Sequence, residues 1–242
     1  NAFSFWAALG HNDGESPEKA LAEATALVDD AVRRSPGDAF ASYLSGAVWR
    51  SMVYYLEELG RDDGAAIDRA VAGYEAALAV DPRFAWALNE ECATLAMRGA
   101  REARLGRDPT GTFAKALGLC DRALEIDPDF LFPRASTLIV LRADAERLVA
   151  AGASPARAIA LGLAAADAAE KASPGWRWLP FWQATLHRIQ AEHDLASGSD
   201  PGPALARAEA GLAKLARDRD SFEDANAVAG EVATVTAEML FD

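Results

Sequence analysis

The chain carries the same punctuation every 46 residues, and that period constrains its fold more than any other feature. The matching sets are Gly14/Ser16/Pro17, Gly60/Asp62/Asp63, Gly106/Asp108/Pro109, Gly152/Ser154/Pro155 and Gly198/Asp200/Pro201. Each set reads as a helix stop followed by a helix start. Glycine tolerates the left-handed conformation that ends a helix, and Ser or Asp two residues later caps the free N–H groups of the next. Proline then fits the first helical position, where no N–H is needed. A second mark runs in parallel at Pro36, Pro82, Pro128 and Pro174, with Asp220 in the fifth place. Two turns per period imply two helices per period.

The turns of the first kind fall at 10–16, 60–63, 106–109, 152–155 and 198–201, and those of the second at 35–38, 81–84, 127–130, 173–176 and 217–221. They delimit helices over 16–34, 38–59, 63–80, 84–105, 109–126, 130–151, 155–172, 176–197, 201–216 and 222–240, with 2–9 reading as the end of a further helix. The first helix of each pair runs to ~30 Å at 1.5 Å per residue. Pro133 and Pro180 lie in first turns, where proline is tolerated. Paired helices at a fixed period predict an all-α protein, an α-solenoid in which each unit buries its apolar face by stacking on its neighbours. Residues 1–242 are expected to form one array of about five repeats without an internal boundary.

Columns of equivalent residues support packing. Ala24, Ala70, Ala116, Gly162 and Ala208 form one small column, and Ala31, Ala77, Ala123, Ala169 and Leu215 a second. A third, Gly46, Cys92, Leu138, Ala184 and Gly230, is small except at Leu138. Small side chains let helix backbones approach closely. Phe84, Phe130, Trp176 and Phe222 put aromatics at the inter-repeat junctions, with Asp38 in the first place.

These residues resemble the tetratricopeptide repeat (TPR) family. Ala77-Leu78-Ala79-Val80-Asp81-Pro82 and Ala123-Leu124-Glu125-Ile126-Asp127-Pro128 are close to its closing motif, and Asn89 sits where the family often has Asn. The usual unit is about 34 residues, so this chain adds about a turn and a half to each helix. Long repeats with Gly106-Arg107-Asp108-Pro109 at the mid-turn also look like the repeat regions of some bacterial, especially myxobacterial, serine/threonine kinases. The resemblance implies a right-handed superhelix that binds protein or peptide and scaffolds rather than catalyses, with the first helix of each pair lining the concave face. A regulatory or sensor segment of a larger enzyme is the alternative, and a periplasmic or small-molecule binding component a third; the start at Asn1 suggests an excised piece.

Two columns are candidates for that face. Phe40, Trp86, Phe132 and Trp178 make a run of aromatics, the usual interface anchors, which either line a groove or complete the core. Arg50, Arg142 and Arg188, with Arg98 beside the intervening Ala96, share roughly the same helix face. Guanidinium groups there would suit an acidic peptide or a C-terminal carboxylate; the competing reading pairs them with acids such as Glu57, Asp144, Glu146 and Glu192.

The remaining features narrow the classes. A formal charge of -13 repels nucleic acid, and no apolar run is long enough to span a bilayer. The chain has no phosphate-cradling glycine loop, no nucleophile elbow and no metalloprotease helix, so neither catalysis nor a cofactor is expected. His187 and His193 are turned about 600° apart on a helix, too far for one metal ion, and His187 shares a column with Trp49, Leu95 and Leu141, which predicts a core histidine. Cys92 and Cys120 lack a metal-type or redox-type spacing, so buried reduced thiols and a cytoplasmic location are expected. Apolar ends, Phe3, Phe5 and Trp6 at one and Met239, Leu240 and Phe241 at the other, raise self-association.

Overall fold

The computed structural model describes residues 17–215, 232–234 and 236, and among these the regular structure is entirely α-helical. The chain divides into two compact units, 1–128 and 129–242. The first holds α1 (Pro17–Arg34), α2 (Ala39–Glu58), α3 (Gly64–Val80), α4 (Ala85–Arg104) and α5 (Thr110–Ile126). The second holds α6 (Leu131–Ala150), α7 (Ala156–Ala172), α8 (Leu179–Ala196) and α9 (Gly202–Leu215). Within each unit sequential helices pack on one another, most extensively a long helix with the shorter one after it: α2 with α3, α4 with α5, α6 with α7, α8 with α9. The long helices also meet their counterparts, α2 with α4 and α6 with α8.

The mid-pair turns repeat nearly atom for atom. Gly60, Gly106, Gly152 and Gly198 all have φ between 63° and 73°, the left-handed region that favours glycine. The residue after each reaches back into the last helical turn: Arg61 donates to the Leu56 carbonyl (2.8 Å), Arg107 to Glu102 (2.8 Å), Ala153 to Leu148 (2.8 Å) and Ser199 to Asp194 (2.7 Å). Those bonds satisfy carbonyls that a helix end leaves open. The next helix is then capped from the anticipated column: Asp62 accepts from Gly64 N–H (3.1 Å), Asp108 from Thr110 (3.0 Å), Ser154 from Ala156 (3.4 Å) and Asp200 from Gly202 (2.9 Å).

The largest boundary shift is at α8, expected from 176. It starts at Leu179 because Ser173 to Trp178 is taken up by a turn with Gly175 at φ 77°, and Pro180 then enters the first helical turn.

Because the turn is symmetric about its glycine, residues equidistant from it face one another across an antiparallel pair. Gly46 faces Tyr74, whose ring carbons lie 2.7 Å from where a Cβ on the glycine would be. Leu138 and Ala166 share one buried cluster, and Ala184 and Leu212 another. Each of these pairs sets a small residue against a larger one. The fourth pair is Cys92 and Cys120, and it is a disulfide, with Cα atoms 5.7 Å apart. The expectation of two reduced thiols is corrected here. A spacing of 28 residues brings together positions on either side of Gly106 rather than unrelated packing sites.

Candidate partner-binding face

The aromatic column splits. Phe40, Trp86 and Phe132 are 57%, 45% and 53% exposed, each in or beside the first turn of a long helix, whereas Phe130 of the junction column is buried. Trp178 is half-buried, edge-on to Phe181 (centroids 6.3 Å apart), with the Arg177 guanidinium 5.6 Å from its ring. In the first unit Phe40 stacks on Tyr43 (5.9 Å), and Tyr43 continues to Phe84 (5.1 Å) and Tyr74 (6.0 Å). One edge of the cluster is thus anchored in the core while Phe40 faces outward. In the second unit Phe132 packs edge-on to Phe130 at 5.7 Å in the same manner.

All four candidate arginines meet carboxylates of their own unit. Arg50 on α2 pairs with Glu90 on α4, and burial opposes its charge while Glu90 and the nearby tyrosines raise its pKa. Arg98 donates to Asp68 on α3 (2.8 Å). Arg142 lies 3.5 Å from Glu146. Arg188 is buried and donates to Glu192 (2.5 Å) and to Glu146 on α6 (3.2 Å). Glu146 and Glu192 were among the acids the paired reading named; Glu90 and Asp68 were not. Asn89 is also buried and donates to Glu90 Oε1 (2.9 Å). A partner's carboxylate would therefore have to share or displace an acid already in place.

Further ion pairs bind the first unit together. Lys115 on α5 reaches Glu75 on α3 (2.7 Å) and the buried Glu91 on α4 (2.8 Å). Burial lowers the Lys115 pKa, but hydrogen bonds to both acids outweigh it, while burial raises that of Glu91. Arg69 on α3 lies 3.9 Å from Asp29 on α1 and over the Trp49 ring at 4.5 Å. Arg101 on α4 clamps the turn before α3 through Asp62 (2.6 Å) and the buried Asp63 (2.9 Å). A signal for several of these was available: Glu75 and Lys115 are 40 residues apart, and so are Asp29/Arg69 and Arg50/Glu90, each joining neighbouring copies of one kind of helix.

His187 is half-buried rather than fully enclosed like Leu95 and Leu141 of its column. Burial, and then the Arg207 charge, hold its pKa below the ordinary value. No group of acids, histidines and cysteines among the described residues is arranged to hold a metal ion, and no described helix is long and apolar enough to cross a membrane. The apolar ends, Phe3, Phe5, Trp6, Met239, Leu240 and Phe241, lie outside the described residues. No protein-family model matches the chain, and no curated protein matches it significantly in sequence.

Proposed function

We propose that this chain is a non-catalytic binding module, a TPR-like right-handed solenoid of about five long repeats that takes a protein or peptide partner on its long helices. The observation that carries this reading is the exposure of Phe40, Trp86 and Phe132 at equivalent repeat positions. Each ring is about half exposed, so covering it gains roughly 1 kcal/mol, and aromatics are enriched at the centres of interfaces. Because the arginines on the same long helices are already paired, the partner is held mainly by apolar or aromatic side chains, with carboxylates in a lesser role. The same exposed aromatics would serve a free-standing scaffold or repeats that regulate a larger enzyme.

The test is retention of a peptide array, and of proteins from the source lysate, by the wild type beside Phe40→Ala/Trp86→Ala, after both are shown to melt alike. Ligands kept by the wild type and lost by the variant, with little effect of salt, support the aromatic face. Equal retention by both proteins overturns it. Binding that survives the variant but collapses in salt replaces it with recognition through the arginines.

A further inference from the structure

We propose that this chain is a client of thiol–disulfide exchange in an oxidising compartment, and that its bridge is made once, during folding. The chain has two cysteines and both are used in the Cys92–Cys120 bond. Both are fully buried, at 0% exposure, between α4 and α5. Exchange needs a thiolate to approach a disulfide sulfur directly, so no oxidant reaches these sulfurs once the helices have packed. The bond forms while the pair is still opening and closing about Gly106. It is then sealed from reductants, which makes it a staple rather than a switch. Its position supports a structural role, because the equivalent pair in the preceding repeat, Gly46 and Tyr74, fills the same place by packing alone. Reduced compartments keep such pairs as thiols, whereas oxidising ones form and retain them.

The exchange balances as follows. One cysteine loses its proton and attacks a disulfide-bearing oxidant, giving a mixed disulfide and releasing one thiol. The second thiolate then attacks the cysteine sulfur of that mixed disulfide, closing Cys92–Cys120 and expelling the other half of the oxidant as a thiol. Two electrons and two protons leave the chain. Closing this loop favours the folded state by roughly 10²–10³-fold.

The first experiment is acid-quenching of source cells, denaturation, and alkylation of this protein with a maleimide large enough to shift it on a gel. No adduct without prior reduction, and two after it, is the expected result; two adducts without reduction would overturn the compartment. A second measurement tests the timing. Reduced, unfolded protein diluted into glutathione disulfide should regain the bridge as it folds, whereas protein folded while reduced should oxidise far more slowly. Equal rates would show that the sulfurs are reached in the packed state, and the staple would fall.

Discussion

The ring of Tyr74 occupies the space that a side chain on Gly46 would need: a Cβ there would lie 2.7 Å from both Cδ1 and Cε1 of the ring and 3.0 Å from the Ala70 carbonyl oxygen. Neither neighbour can give way, since Tyr74 is fully buried and the other contact is backbone. Gly46→Ala is therefore expected to destabilise the protein by about 1–3 kcal/mol, the usual penalty of overpacking. Gly118 supplies the control, because it is an exposed position inside α5 with nothing among the described residues near its missing Cβ. Gly118→Ala should stabilise by about 0.5–1 kcal/mol. Urea midpoints of the two variants check both signs.

The Tyr74 hydroxyl is buried with no hydrogen-bond partner among the described residues, and burial raises its pKa well above the ordinary tyrosine value. An unsatisfied buried hydroxyl is a liability, so Tyr74→Phe keeps the ring and removes the penalty. It should be neutral or stabilising by up to about 1–3 kcal/mol. A clear loss in chemical denaturation would show that the hydroxyl has a partner.

Arg50 and Glu90 join α2 to α4 with little solvent access, 24% and 10% for their side chains. Removing one charge strands the other. Glu90→Leu alone is expected to cost about 2–4 kcal/mol, with Arg50→Met/Glu90→Leu recovering most of it, the behaviour of partly buried ion pairs. The preceding repeat already carries Leu44 where Glu90 stands. A double-mutant cycle of denaturant stabilities measures the coupling.

His187 gives a pH dependence. Its folded pKa lies below the unfolded value, so between the two the unfolded chain binds more protons. The stability His187 contributes is present above about pH 6.5 and is lost as pH falls through its folded pKa. Melting temperatures from pH 7.5 to 5.5 should fall more steeply for the wild type than for His187→Gln. Parallel curves would remove the histidine from this account.

The aromatic columns should separate by role. Phe130→Ala removes a buried ring and is expected to cost about 3–5 kcal/mol. Phe40→Ala, at an exposed position, should change stability by less than about 1 kcal/mol while weakening partner retention. Thermal melts paired with the peptide array decide it.

Much of this arrangement was legible because turn chemistry is local. Gly60 and its equivalents end helices, and Asp62, Asp108, Ser154 and Asp200 cap the next ones, through contacts within a few residues, so the period exposed them directly. The start of α8 was missed because the Gly175 turn breaks the repeat. The aromatic column could not be divided into core and surface from its spacing, since equivalent positions differ in exposure: Phe40, Trp86 and Phe132 are exposed whereas Trp178 is half-buried.

By itself, then, the sequence determined that helices alternate, where they turn, and which columns are small enough for close packing. Only the tertiary structure decided what those columns meet. The Cys92–Cys120 bond, the reach of Arg188 across to Glu146, and the fit of Tyr74 on Gly46 follow from which faces of two helices oppose each other. Periodicity places a residue on a face of its own helix, but contact also needs the axial register between helices, which the symmetric turn about each glycine sets.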